Sequence, residues 1–369
     1  MSFLGLLREG TGSPYLVLSD RGRARWALPA DHPMVLRSGM RVHTPATPAG
    51  MTRWHLARVA AGFGLAGLLP GRRARAEVPV TPALARLLGV DELRIGIAES
   101  FGGERCVLAA IEPSGRVRAF VKVAASSEQA QRLEREHEIL RYLDGVRSIF
   151  DVPGPLYQGP LKDYWSLVLT PIRGRSGLAT WKLDRRRVDA AAAVFGSGHG
   201  HGELLDRLPA EAPHDAAWTG RLEAARSVLA GTAGGPLPLG LVHGDFAPWN
   251  VFVRGSRVGV LDWESADRRG LPYWDLWHFA VSALHIIRPP AALRPVREAI
   301  HGRGILMPAL RRYADRIGVP LDRARSVLIL YLTLSGLKLL EEVPEGRPDH
   351  ALALASRERL LDEALGATA

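Results

Sequence analysis

Strand-like stretches crowd into the first half of this chain and helical ones into the second, and a single hairpin interrupts the helices. From Asp91 the apolar residues alternate through "LRIGIAES", "CVLAAIEP" and "RAFVKVA". The separators "FGGER" and "SGRV" carry good turn chemistry. A helix follows, opened by Ser126 with Gln129 three positions on, the spacing of a capping box. "DVPGPLYQG" reads as a loop, and "YWSLVLTPIRGRSG" as a strand running into a glycine-rich connector. From about Leu178 the pattern is helical, broken once by "NVFVRGSRVGVLDW". This order predicts an α+β, bilobal chain: a β-rich lobe over 89–172, a larger α-helical lobe over 173–369, and a cleft between them. Residues 1–88 form an extension of unassigned role. In it "PYLVLSD" and "ARWALPA" read as short strands, and "GMTRWHLARVAAGFGLAGLL" as a helix that "PGRRARAEVP" breaks.

Charge and composition narrow the function classes. The 369 residues carry a formal net charge of +10, which suits an acidic partner. The basic residues are nevertheless interleaved with acids, as in "RLEREHEILR", and no Lys/Arg run alternates with aromatics, so nucleic acid is not expected. One cysteine, Cys106, excludes an internal disulfide, and a reducing, cytoplasmic setting is expected. "MSFLGLLREGTG" lacks the pattern of a secretory signal. The apolar runs Val59 to Leu69 and Val327 to Leu337 fall short of the ~20 residues a spanning helix needs. Both read as buried helices, and no membrane span is expected.

The segment "LVHGDFAPWNVFVRGSRVGVLDWE" concentrates the chemistry. Asn250 and Asp262 are equidistant from Ser256, the middle of the "GSR" turn. A hairpin closed about that residue sets them face to face, with β-carbons ~4.5–5.5 Å apart. An amide oxygen and a carboxylate so placed are an oxygen-ligand pair for Mg²⁺. Asp245, in the loop entering the hairpin, can reach the same place and orient or deprotonate an attacking hydroxyl.

Upstream, Lys122 sits in the apolar run "AFVKVA", where a buried ammonium needs a partner or a phosphate. In the next helix Leu133, Glu136, Leu140 and Leu143 are spaced 3, 4 and 3, so Glu136 lies on the apolar stripe. Pairing Lys122 with Glu136 resolves both conflicts.

"HGDFAPWN" followed by "LDWE" resembles the catalytic loop and metal motif of the aminoglycoside phosphotransferase and choline kinase-like family, which has the protein-kinase-like fold. The resemblance implies Asp245 as catalytic base, Asn250 and Asp262 as Mg²⁺ ligands and His243 as a scaffold residue. It implies that the Lys122–Glu136 pair positions the phosphates of ATP, with GTP as an alternative nucleotide. "LVLTPIRG" is similar to the hinge where adenine meets backbone, through the carbonyl of Thr170 and the amide of Ile172. An ordinary strand leading to a linker is the other reading. In "PYWDLWHF", Asp275 answers to the acid that supports the catalytic loop in similar proteins, or to a plain helix N-terminal acid. The G-x-G-x-x-G of protein kinases is missing. "ESFGGER" offers Ser100, Gly102 and Gly103 to phosphate, and reads equally as a plain hairpin turn. His199 and His201 lie two apart in a glycine-rich loop without a matching ligand set.

The function expected from these readings is ATP- and Mg²⁺-dependent transfer of a γ-phosphoryl group to a hydroxyl of a small molecule, of aminoglycoside, sugar or amino-alcohol type. The alternatives are an inactive nucleotide-binding pseudokinase serving as scaffold or sensor, and a basic module binding an acidic polymer.

Overall fold

The computed structural model describes residues 6–366, apart from 21, 44, 46–47, 100–104, 145–149, 173–174, 177–182, 197–199, 212–214, 233–234, 288–292 and 343–347. The chain divides into two compact units, 1–147 with 151–173, and 148–150 with 174–369. The architecture is mixed α+β, with a β-rich N-terminal unit and a largely helical C-terminal one.

The first unit contains β1 (Arg8–Asp20), β2 (Arg23–Pro29), α1 (Pro33–Gly39), α2 (Pro48–Gly62), β3 (Arg72–Glu77) and α3 (Thr81–Leu88). These are followed by β4 (Arg94–Glu99), β5 (Arg105–Ile111), β6 (Val117–Ala124) and α4 (Ser127–Leu143). After β7 (Phe150–Asp151), whose Phe150 belongs to the second unit, come β8 (Pro155–Leu161) and β9 (Tyr164–Leu169). Eight strands form one antiparallel sheet in the order β3-β1-β2-β4-β5-β6-β9-β8. The first 88 residues therefore supply three strands of the sheet that also holds Lys122. β2 joins the later strands through Trp26 opposite Ala98 and Ala27 opposite Ile97.

Cross-strand register assigns the faces. Gly96, Ala109, Phe120 and Leu169 form one row, and Ala98, Val107, Lys122 and Leu167 the next, on the same face. The opposite face carries Ile95, Ile97, Leu108, Ala119 and Val121, buried in the main core with Leu84 of α3. On the Lys122 face, Val35 of α1 is buried with Ala109, Ile111 and Val117, and Val42 and Phe120 pack against them. The approach is close: a β-carbon at Gly96 would sit 3.1 Å from the Gly39 backbone.

Two segments differ from expectation. "RRARAE" is a strand, β3, and "PLYQGPL" is a strand, β8, where a break and a loop are expected. They are the two edges of the sheet, where prolines and charges are tolerated because one side of the backbone needs no ladder partner.

The second unit contains β10 (Arg175–Ser176), α5 (Arg185–Phe195), β11 (His201–Gly202), α6 (Ala216–Ala230), β12 (Leu237–Pro238) and β13 (Gly240–Val242). Next come the hairpin β14 (Val251–Arg254) and β15 (Arg257–Val260), then β16 (Asp267–Gly270). Five helices complete it: α7 (Trp274–Ile287), α8 (Arg294–Ile300), α9 (Met307–Ile317), α10 (Arg323–Glu342) and α11 (Pro348–Gly366). Arg312 of α9 clamps Asp189 of α5 with two bonds of 2.8 Å. The indole of Trp277 in α7 donates to the Ala324 carbonyl of α10 at 2.8 Å.

The two apolar runs part ways. Val327 to Leu332 in α10 are buried, as expected. Val59 to Leu69 are not a buried helix: Phe63 is 79% exposed and Leu68 78%. No helix among the described residues is long and apolar enough to cross a membrane.

Candidate active site

In the first unit, β6 carries Lys122 opposite Val107 of β5 and Leu167 of β9. Helix α4 starts where Ser126 accepts the Gln129 N–H through its hydroxyl, at 3.3 Å. Its buried stripe is Gln129, Leu133, Glu136, Ile139, Leu140 and Leu143. Lys122 Nζ donates to both carboxylate oxygens of Glu136, at 2.7 and 2.6 Å, and Glu136 is fully buried. The structure thus brings together the ammonium and carboxylate that the sequence pairs.

Past β9, the Thr170 N–H donates to the Gly154 carbonyl at 2.8 Å, and the Thr170 hydroxyl accepts from the Gly154 N–H at 2.6 Å. The Thr170 carbonyl and the Ile172 N–H carry no hydrogen bond among the described residues. The Ile172 carbonyl accepts from Arg41 at 3.4 Å. Ser100, Gly102 and Gly103 lie outside the described residues, as does His199. Cys106 is buried, and burial pushes its thiol up to about 12, so it stays protonated and inert.

In the second unit, the loop leaving β13 is held from three sides. The Asp275 carboxylate accepts the His243 N–H at 2.8 Å and the Gly244 N–H at 3.0 Å. Complete burial raises the Asp275 carboxyl above its ordinary range, against the opposing pull of His243, the two N–H donors and His278. Gly244 has φ +77°, and a β-carbon there would stand 2.2 Å from the Ser265 carbonyl oxygen, so the turn admits only glycine. His243 bridges two loops. Its Nε2 lies 2.8 Å from the Leu261 carbonyl, which can only accept, so Nε2 carries the proton. Nδ1 is then free to accept the Asp245 N–H at 3.2 Å. The buried His243 ring stands edge-on to Trp263, 4.6 Å between centroids.

Both oxygens of Asp245 are engaged. Oδ2 accepts from Asn250 Nδ2 at 2.8 Å, and Oδ1 lies 2.9 Å from His278 Nε2. Asn250 Nδ2 also donates to the Asp245 carbonyl at 3.0 Å. With its nitrogen committed, the amide turns its oxygen elsewhere, and that oxygen has no hydrogen-bond partner among the described residues. A lone amide oxygen of this kind fits a hard cation, with a carboxylate as co-ligand.

Asp262 departs from the face-to-face geometry. The ladder pairs Val251 with Val260 and Arg254 with Arg257, around a two-residue turn of Gly255, at φ +58°, and Ser256. Asn250 therefore faces Leu261, whose N–H donates to the Asn250 carbonyl at 2.9 Å. Asp262 lies one residue beyond the pairing, in the left-handed region (φ 66°, ψ 65°), capping a 3-10 turn over Trp263–Ser265. The turn is one residue shorter than a loop centred on Ser256, and a one-residue slip sends a side chain to the other face. The left-handed backbone at Asp262 ends the strand.

His278 is the site residue that sequence reasoning missed. It follows Asp275 by three positions on α7, so both fall on one helix face, a spacing that was available in "PYWDLWHF". Its Nδ1 lies 3.3 Å from the Tyr331 hydroxyl of α10.

A model of the phosphotransferase enzyme family (APH) matches residues 107–315, more than half of the chain and including Lys122, Glu136, Asp245, Asn250 and Asp262. The chain belongs to this family. It is a phosphotransferase, a small-molecule kinase, with the protein-kinase-like α+β fold of that family. No curated protein matches the chain. Among solved structures it is similar to an amicoumacin kinase, hAmiN, in complex with AMP-PNP, Ca²⁺ and Ami: 14% identity over 72% of this chain and 88% of that one, TM-score 0.46. It is similar to aminoglycoside phosphotransferase APH(2″)-IIa, in a ternary complex with streptomycin and ATP, at 15% identity over 77% and 98%, TM-score 0.47. A choline/ethanolamine kinase family protein from Mesorhizobium loti gives 18% identity over 78% and 97%, TM-score 0.46.

Proposed function

We propose that the chain transfers the γ-phosphoryl group of ATP, with Mg²⁺, to a hydroxyl of a small molecule. One observation carries this reading most of the way. Asn250 gives both amide hydrogens to Asp245 and keeps its oxygen, so a single side chain orients the base and offers a metal ligand. Asp245 takes the hydroxyl proton as the new P–O bond forms and the bond to ADP breaks. Its side chain is 34% exposed, open enough to meet an acceptor. Mg²⁺ would be held by Asn250 and Asp262, where it neutralises charge on the phosphates. Lys122, fixed by Glu136, grips the phosphates, and the Thr170 carbonyl and Ile172 N–H supply an acceptor and a donor to adenine. Asp275 and His243 hold the loop, and His278 positions the Asp245 carboxylate through Oδ1.

Transfer of this kind depends on positioning and charge stabilisation. The test is Asp245→Asn, which should keep ATP binding, measured by calorimetry, and lose turnover in a screen of hydroxylated metabolites. Full turnover in that variant refutes the base assignment. The same screen run with GTP sets the nucleotide preference.

A further inference from the structure

Helix α2 is apolar on two sides, and only one of them is buried. Trp54, Ala57 and Ala61, spaced 3 and 4, pack with Leu16, Leu28 and Met40 in the first unit's second core. Leu56, Val59 and Phe63, also spaced 3 and 4, lie about 200° round the helix. They are exposed, Leu56 to 62% and Phe63 to 79%. The 3-10 turn Leu65–Leu68 extends the stripe with two more exposed leucines. Single exposed apolar residues are ordinary, but a contiguous set marks an interaction surface.

Charge supplies a second, independent observation. Between His32 and Ala76 the sequence has seven arginines, from Arg37 to Arg75, and no Asp or Glu. This stretch holds +7 of a chain whose total is +10. Among the described residues, the one carboxylate ion pair these arginines make is Arg72 with Glu9. Arg53 sits on α2 beside the stripe, exposed. Arg37 beside Gly62, Arg53 on α2 and Arg73 bonded to Ala66 are all exposed, so the apolar stripe is rimmed with cations, a combination suited to the boundary of an anionic bilayer. A second copy would bring the same positive field and be repelled. Side chains exposed to nearly 80% suit a fluid boundary that moulds around them, with no groove required.

We infer that the outer stripe of α2 and the following turn dock this protein on an anionic lipid bilayer. Phe63 and Leu68 enter the headgroup boundary, and the exposed Arg37, Arg53 and Arg73 meet lipid phosphates. The inference stands independently of the phosphoryl-transfer reading.

The full chain should co-sediment with vesicles of phosphatidylcholine containing about 30% phosphatidylglycerol, and not with phosphatidylcholine alone. Binding should fall about tenfold or more in Phe63→Ser/Leu68→Ser, since two inserted side chains are lost. It should fall in Arg53→Glu, and for the parent in ~0.5 M NaCl, where screening shortens the Debye length. Thermal melts should match the parent, because all three positions are exposed. Failure to bind the anionic vesicles overturns the inference. Undiminished binding by the double serine variant overturns it too, since the lipid would then meet another surface. A dimer that the serines abolish, seen by light scattering without vesicle binding, replaces the bilayer with a second copy.

Discussion

Replacing Lys122 with Met removes the ammonium that donates to both oxygens of fully buried Glu136, and replacing Glu136 with Leu removes the carboxylate that Lys122, 11% exposed, donates to. Removing one partner of a buried ion pair costs ~3–5 kcal/mol, and the residual solvent contact of Lys122 sets the expectation near the lower end, about 3 kcal/mol for each single change. Exchanging both for apolar residues of similar volume leaves neither member of the pair behind, so the double variant should return to within about 1 kcal/mol of the parent. At ~1–2 °C per kcal/mol for a chain of 369 residues, the single variants should melt roughly 3–6 °C lower, and the double variant close to the parent. Calorimetry of the four proteins tests the cycle, and nucleotide titration adds the functional readout. All three variants should lose nucleotide affinity, including the stable one, which separates gripping phosphates from holding the sheet to α4. Additive penalties, or single variants costing less than about 1 kcal/mol, would refute the reasoning.

Other consequences can be measured directly. His278→Leu should lower kcat by about 10–100-fold with KM for ATP little changed, and His278→Gln, whose amide can still donate to Asp245, should recover most of the loss. Equal kcat in parent and Leu variant would show that Asp245 needs no such support. His43 packs against the rings of Trp26 and Trp54, at 5.0 and 5.3 Å, and burial lowers it to about 4. Its folded value lies below the unfolded ~6.5, so the unfolded chain takes the proton first and stability falls as pH drops from about 6.5 to about 4, by roughly 2–3 kcal/mol. His43→Phe should flatten that window in urea midpoints measured at about pH 7 and about pH 4.5. An unchanged acid slope would assign the loss to other groups.

Local pattern made much of this molecule readable. The alternation in β4, β5 and β6, the Ser126 cap and the apolar stripe bearing Glu136 are all short-range features, and each led to an element or contact present in the structure. The edges of the sheet were hidden for a shared reason. Half of β3 is arginine, and β8 carries Pro155 and Pro160, compositions that only an unpaired flank accepts and that imitate loops. The hairpin was legible but its register was not, because the residue at the turn's centre is fixed by backbone twist at Gly255, and symmetry about Ser256 misleads by one position. His278 escaped because its partner Asp245 lies 33 residues earlier, a separation that no local pattern spans. The exposed stripe of α2 looked like core material, since apolar spacing alone does not say which side of a helix has a neighbour.

The pairing of β2 with β4 has a practical consequence for anyone trimming this protein. The family match begins at residue 107, inside β5. A fragment cut to that span would start partway along a strand, and one begun at residue 89 would strip β4 of its neighbour and uncover the small apolar row at Gly96 and Ala109. A naked, flat strand edge recruits other chains. Expression of an apparent minimal kinase would yield aggregate, so the working unit for any biochemistry is the chain with its first 88 residues in place.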